Sequence, residues 1–146
     1  MGNYESKRSE TRVNMNAYFP SELYERIREI AFHEKRSMSN IISNATEEFI
    51  LAYKRDGGIL ASIKNEPLCS VYRMKDRKKV GVYMTRETRE MLNRIAEDEN
   101  VTVAGIFRVL AMRYVDEYDQ RLKAARMDTS YLPQAENSFQ MYIDLA

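Results

Sequence analysis

The chain has 146 residues, of which 44% are hydrophobic and 31% are charged, and its formal net charge at pH 7 is +1. This composition excludes a chain that is disordered along its whole length, and the net charge does not by itself indicate nucleic acid binding. No apolar run approaches the ~18 residues of a membrane span, and the one cysteine, Cys69, excludes an internal disulfide, so we expect a cytoplasmic protein with no membrane partner.

The chain opens with a basic polar arm, residues 1–11, and then alternates over residues 12–19. Apolar residues occupy the odd positions and polar residues most of the even ones. This period of two predicts a strand with one buried face. The outward positions are Arg12, Asn14, Asn16 and Tyr18.

Two helices are predicted after this strand. Pro20 fixes φ where the first helix begins, and an apolar stripe at helical spacing carries that helix to about Glu34. Ser37 is a good N-cap for the second helix, which ends at the glycines after Asp56. Residues 12–54 therefore form a first strand-helix-helix unit.

Residues 55–78 form a linker that is partly helical and partly basic. Its apolar residues, among them Ile63 and Leu68, predict a short helix that is interrupted at Pro67 and packs on the core. Cations crowd toward its end, where Lys78 is the last residue. They are either a solvated connection or a contact for nucleic acid.

The first unit recurs at residues 79–118. A shift of 65 positions places Pro20 on Thr85 and aligns the caps and both apolar stripes without a gap. A strand, two caps and two stripes in one register indicate a tandem duplication rather than a chance likeness of amphipathic helices. The outward positions of the second strand are Lys79, Gly81 and Tyr83.

Residues 119–146 form a C-terminal extension. The last helix is predicted to run through Leu122 to about Arg126, and an apolar cluster lies within residues 139–145. This cluster either docks on its own domain or serves as a hook for a protein partner or for a second copy of the chain on DNA.

A single strand of this length leaves its backbone groups unpaired. If the two strands pair antiparallel inside one chain, their inward faces cover a core of four helices, with Ala17 and Phe19 against Val82 and Met84. The predicted fold class is therefore mainly α with a short β-ribbon. Two units form a pseudo-dimer, accompanied by a helical linker and a tail. A two-stranded ribbon with an uncovered polar face fits the major groove of B-form DNA.

This arrangement resembles the ribbon-helix-helix family, the DNA-binding fold of Arc-type and MetJ-type repressors. The resemblance covers residues 12–53 and 79–118. Its most telling run is the strand, then Pro20, Ser21, Glu22, Leu23 and Tyr24, then Ala31, and then Arg36, Ser37, Met38 and Ser39. In this family, outward strand residues read bases, and the backbone at the start of the second helix holds a phosphate.

The resemblance assigns base reading to Asn14, Asn16 and Tyr18 in the first unit and to Lys79, Gly81 and Tyr83 in the second. It assigns phosphate binding to Ser37, Met38 and Ser39 and to Thr102, Val103 and Ala104, and we add the cations Arg12 and Lys78. Asparagine suits adenine and lysine suits guanine. Gly81 either permits close approach of the ribbon or leaves sequence choice to the first unit. Ser37 and Thr102 are equally explained as plain helix caps.

The implied function is sequence-specific binding of double-stranded DNA by a protein of a plasmid or other mobile element. Two tasks stay open, a transcriptional repressor and an accessory factor that marks an origin of transfer for a relaxase. The alternative is an antitoxin-like or adaptor protein that acts through protein contacts. With one histidine, one cysteine and no glycine-rich phosphate loop, the chain is not expected to be an enzyme or to hold a metal or cofactor.

Overall fold

The order strand, helix, helix occurs on both sides of a short linker helix. The computed structural model describes residues 12–56, 63–70 and 74–128. The elements are β1 (Arg12–Pro20), α1 (Ser21–Glu34), α2 (Met38–Arg55), a 3₁₀ helix (Pro67–Ser70), β2 (Arg77–Thr85), α3 (Arg86–Glu99) and α4 (Val103–Asp128). The predicted class, mainly α with a short two-stranded β-ribbon, is confirmed for these residues.

β1 and β2 pair with each other in one antiparallel sheet. The ladder runs from Arg12 opposite Thr85 to Pro20 opposite Arg77, and its central pair is Asn16 and Gly81. These two central residues are separated by the repeat shift of 65 positions. The register is therefore symmetric about this pair, and the two strands form their ribbon inside one chain, as predicted.

The facing pairs differ from those predicted. Ala17 and Phe19 do not lie opposite Val82 and Met84, because Phe19 is paired with Lys78. The prediction began the second strand at residue 79, whereas the ladder includes two earlier residues. Backbone pairing requires no apolar side chain. The basic residues at the start of β2 therefore extend the ribbon although the hydrophobic pattern does not indicate a strand there.

The inward face of the ribbon and the four helices enclose one hydrophobic core. Phe19 and Val82 are fully buried beneath the ribbon. The helices contribute Ile27 and Ile30 from α1, Ile41, Ile42 and Phe49 from α2, Leu92 and Ile95 from α3, and Ile106, Phe107 and Val109 from α4. Because residues of both halves belong to one cluster, each half completes the burial of the other.

Side chains cap α2, α3 and α4 at the predicted positions. Ser37 Oγ accepts a hydrogen bond from the Asn40 N–H at 3.0 Å, and Thr102 Oγ1 accepts one from the Gly105 N–H at 2.9 Å. Thr85 Oγ1 caps α3 in the same way. These bonds satisfy backbone donors that the start of a helix leaves unpaired.

The turn between the helices of each half contains one left-handed residue. Lys35 has a φ of 55° and Asn100 a φ of 57°. After Lys35, the Arg36 N–H donates to the Ala31 carbonyl at 2.9 Å, and an equivalent bond of 2.9 Å closes the second turn. Both turns therefore end their first helix by the same reversal of the backbone.

The described part of the linker packs on the core. Ile63 and Cys69 are buried, and the 3₁₀ helix begins at Pro67, where a break was predicted. The predicted packing of the linker is confirmed for residues 63–70. The rest of the linker between residues 57 and 73 lies outside the described residues.

α4 continues past the end of the predicted second unit as far as Asp128, as the pattern indicated. The predicted basic arm at residues 1–11 and the apolar cluster at residues 139–145 lie outside the described residues. None of the described helices combines the length and the apolar character that crossing a membrane requires.

Candidate nucleic-acid interface

The outward face of the ribbon brings the six predicted base-reading positions together. They are Asn14, Asn16 and Tyr18 on β1 and Lys79, Gly81 and Tyr83 on β2. Asn14 lies opposite Tyr83, and Tyr18 lies opposite Lys79. Tyr18 is 40% exposed and Tyr83 is 54% exposed. Since alternate residues of a strand share one face, a ligand that approaches the ribbon meets these side chains directly.

The ribbon is cationic at both of its ends. Its two strands contain Arg12, Arg77, Lys78 and Lys79 and no aspartate or glutamate. All four of these cations are exposed. A surface of one charge without interspersed carboxylates attracts a polyanion. The near-zero net charge of the whole chain therefore conceals a locally positive face.

Asn14 and Asn16 are hydrogen-bonded to each other on this face. Asn14 Nδ2 donates to Asn16 Oδ1 at 3.3 Å. Gly81 lies across the ladder, and a Cβ built on it would stand 3.2 Å from Asn14 Oδ1 and 3.5 Å from Asn16 Oδ1. The two amides therefore occupy the space that a side chain at position 81 would fill.

Tyr18 is partly covered by Arg77, which was predicted to lie in the linker. The guanidinium carbon of Arg77 lies 4.5 Å from the centroid of the Tyr18 ring, a cation–π contact. Arg77 has the same strand parity as Lys79. If the alternation of β2 is extended backward by two residues, Arg77 falls on the outward face. The three cations at the start of β2 include no apolar residue, so the hydrophobic pattern does not predict a strand there.

The start of α2, predicted to bind a phosphate, lies against the edge of β2. Ser39 Oγ accepts a hydrogen bond from the Tyr83 N–H at 2.8 Å. Ser37 is exposed, and its hydroxyl already caps the helix. The backbone N–H groups of the first turn and the helix dipole favour an anion. The predicted phosphate position therefore adjoins a predicted reading position.

The start of α4 has different surroundings. The predicted phosphate positions there are Thr102, Val103 and Ala104. Ala104 corresponds to Ser39 of the first half but has no hydroxyl to bond the neighbouring strand. Gly105 lies under the linker, since a Cβ built on it would stand 2.1 Å from the carbonyl oxygen of Cys69. The two helix starts are therefore not equivalent as phosphate sites.

Arg108 connects the linker to the ribbon and was not among the predicted site residues. Its side chain is 5% exposed and donates from Nε to the Leu68 carbonyl at 2.8 Å and from Nη1 to the Tyr18 carbonyl at 3.4 Å. Burial lowers the pKa of this guanidinium. An arginine on an apolar helix face is normally read as reaching solvent, so only the tertiary packing identifies it.

The histidine and the cysteine of the described residues do not belong to a metal-binding cluster. No group of three or more His, Cys, Asp and Glu side chains in the described part of the chain is arranged to hold a metal ion. His33 is exposed, with its ring centroid 5.8 Å from that of Phe32. Burial raises the pKa of the Cys69 thiol, which keeps it protonated at neutral pH.

Comparison of the chain with protein-family models, with curated proteins and with solved structures finds no match. The interface is a two-stranded face with exposed amides, tyrosines and cations, bordered by the capped start of α2.

Proposed function

We propose that this chain is a sequence-specific double-stranded DNA-binding protein whose β-ribbon enters the major groove. The observation that carries the proposal is the outward face of the ribbon, where amides and tyrosines are exposed among three cations, Arg12, Arg77 and Lys79, and no carboxylate. The major groove of B-DNA is about 12 Å wide and admits a two-stranded ribbon. Its base edges present donors and acceptors that amides and ammonium groups can bind.

The proposal includes a tandem ribbon-helix-helix architecture, in which one chain supplies both halves of a pseudo-dimer. Three observations support it. The order strand, helix, helix occurs twice, the ladder is symmetric about Asn16 and Gly81, and the left-handed residues Lys35 and Asn100 occupy equivalent turns. Because the two halves present different side chains at equivalent positions, the site that they read is not palindromic.

Within this proposal the residues divide into two groups. Asn14, Asn16 and Lys79 contact base edges, and the two tyrosines bind a phosphate or lie against a thymine methyl group. Arg12, Lys78 and the helix starts contact phosphates. The start of α2 is the better supported of the two, because Ser39 is bonded to β2 while the linker crowds the start of α4.

Two biological tasks suit such a protein in the cytoplasm, on nucleoid or plasmid DNA. A repressor occupies an operator, usually with contacts between neighbouring copies. An accessory factor marks an origin of transfer and recruits a relaxase. The neighbouring genes distinguish the two, since a relaxase or coupling-protein gene indicates transfer and a single regulated operon indicates repression.

Selection of bound fragments from random duplex DNA tests the function. We expect the selected duplex to bind more tightly than a scrambled duplex of the same composition in fluorescence anisotropy. Affinity should fall steeply with salt, because each neutralised phosphate releases counterions. Weak binding that is insensitive to both sequence and salt would contradict the proposal.

Two substitutions separate base reading from phosphate binding. Asn16→Ala should weaken the free energy of binding to the selected duplex by ~1–3 kcal/mol and relax the base preference at one position. Lys78→Ala should weaken all sequences alike and lower the salt slope by about one. Asn93→Ala, an exposed change on α3, serves as the matched control and should alter neither. Equal weakening of all sequences by Asn16→Ala would refute base reading by this residue.

The alternative is an antitoxin-like or adaptor protein that acts through protein contacts. Exposed apolar side chains on three helices favour it, namely Phe32 at 80%, Leu51 at 64% and Leu122 at 52%. Singly exposed apolar residues are common on soluble proteins, however. The clustered polar and cationic face of the ribbon is the more specific observation, and the salt titration decides between the two functions.

A further inference from the structure

At the centre of the ribbon the two halves have residues of different size. Asn16 and Gly81 are equivalent positions of the repeat and face each other in the ladder. A side chain at position 81 would meet the amides of Asn14 and Asn16, because even a Cβ there would stand 3.2 Å from Asn14 Oδ1. Because Gly81 has no side chain, the two amides of the opposite strand occupy the space beside it.

The bond between these amides changes how they can contact DNA. Asn14 and Asn16 are two residues apart on one strand, so independent side chains would stand about 6.6 Å apart. That separation corresponds to about two base-pair steps of 3.4 Å each. In the structure Asn14 Nδ2 and Asn16 Oδ1 are 3.3 Å apart, so the two side chains converge toward one position in the groove.

We propose that Gly81 is a specificity determinant that lets Asn14 and Asn16 read a single A·T base pair as one joined group. Asn14 Oδ1 and Asn16 Nδ2 take no part in their mutual bond. They are an acceptor and a donor, and adenine presents the complementary N6 donor and N7 acceptor in the major groove. Because the amides are joined before binding, less side-chain freedom is lost in the complex. This inference rests on the proposed DNA-binding function.

The first arm of the test needs no DNA. Side-chain amide signals of Asn14 and Asn16 are recorded by NMR in the wild type, in Gly81→Ala and in Lys79→Ala. We expect Gly81→Ala to shift both amides while circular dichroism shows an unchanged fold, and Lys79→Ala to shift neither. Asn14→Ala probes the same bond from the other side and should shift the Asn16 amide. Unmoved amides in Gly81→Ala and Asn14→Ala would overturn the joined pair.

The second arm is a double-mutant cycle on the selected duplex. Asn14→Ala and Asn16→Ala should each weaken binding about tenfold, and the double variant should be no weaker than either one. All three, and Gly81→Ala, should relax the preference at the same base pair. Lys79→Ala should combine multiplicatively with either asparagine change. Multiplicative effects of the two asparagine changes, at two different base pairs, would overturn joint reading.

The two proposals fail in different ways. A wild-type chain that shows no sequence preference for any duplex refutes the proposed function and, with it, the reading role of the pair. A chain that binds a selected duplex while its two asparagines act independently refutes only the joint reading. The amide signals decide in both cases whether Gly81 makes room for the pair.

Discussion

Lys35 adopts a left-handed backbone conformation, which glycine and asparagine tolerate better than lysine does. Its φ of 55° lies in the left-handed region, as does the φ of 57° at Asn100. An L-residue with a Cβ pays roughly 1–2 kcal/mol in this region, and asparagine is more tolerant because its short polar side chain bonds locally. The first half of the chain therefore carries strain at a turn where the second half carries less.

We expect Lys35→Gly to raise the free energy of unfolding by roughly 0.5–1 kcal/mol, since the strain removed exceeds the entropy that glycine adds to the unfolded chain. Asn100→Gly is the matched change in the other turn and should have a smaller effect. Urea titrations of both variants check this. A less stable Lys35→Gly variant would contradict the argument from strain.

Gly81 and Gly105 are predicted to respond differently to a methyl group. Gly105→Ala should lower the free energy of unfolding by roughly 1–3 kcal/mol, because its Cβ would stand 2.1 Å from a backbone oxygen of the linker. Gly81→Ala faces only side-chain atoms, at 3.2 Å or more, and should fold normally. Thermal melts of the two variants provide the comparison, and equal losses would refute the linker contact.

Tyrosines on the long helices α2 and α4 form hydrogen bonds with the turns of the opposite half. The Tyr114 hydroxyl on α4 donates to Glu34, the last residue of α1. The Tyr53 hydroxyl on α2 donates to Glu99 Oε1, at the end of α3, at 3.1 Å. Arg36 Nη1 also donates to the Tyr114 oxygen at 3.0 Å. Each left-handed turn is thus held by a helix from the other half of the molecule.

These hydrogen bonds predict a loss of stability at alkaline pH. Burial and the hydrogen bond to Glu34 raise the pKa of Tyr114 above its ordinary value of 10.0. The unfolded chain therefore ionises first, and the contribution of the neutral hydroxyl, fully present below pH 10, declines as the pH rises through the folded-state pKa. Tyr114→Phe should lower the free energy of unfolding by about 1 kcal/mol at pH 7 and make its decline with pH less steep.

Unfolding free energies measured from pH 7 to 11 test the prediction. Tyr118→Phe, one turn further along α4, keeps Tyr114 and should keep the alkaline decline. An equally steep decline in Tyr114→Phe would show that the bond to Glu34 does not control it.

The elements that could be predicted from the sequence are those with local causes. The caps at Ser37 and Thr102 and the apolar stripes follow from short-range spacing, and the structure has them. The ladder register, the contact of Arg77 with Tyr18 and the burial of Arg108 depend on residues far apart in the chain. The periodicity of apolar residues along the sequence does not indicate contacts between distant residues. For this reason the facing pairs were predicted wrongly and Arg108 was missed.

In the described part of the chain, the two halves share one core and one sheet. The ladder joins β1 to β2, and a single cluster contains buried residues of all four helices. Among the described residues neither half has a sheet of its own, so separating the halves would expose the inward face of each strand. The described part of the chain is therefore expected to fold and unfold as one unit.

We expect the protein without DNA to be a monomer, with one cooperative unfolding transition whose midpoint does not change with concentration. Ligands and partners that bind only the folded state make the midpoint concentration-dependent, and an intramolecular ribbon needs none. Light scattering gives the mass, and melts over a hundredfold range of concentration give the midpoint. A dimer that persists on dilution, with a rising midpoint, would indicate a ribbon formed between chains.

The symmetric ladder with unlike residues gives the proposed complex an orientation. Rotating the ribbon end for end would leave its backbone in the groove but exchange Asn14 with Lys79 and Asn16 with Gly81. Only one of the two orientations then matches a given base sequence. Every copy of the site would present the same half of the protein to the same flank of DNA. The bound chain would thus impose a polarity on the duplex, and a neighbouring protein that contacts one half would assemble on one side only.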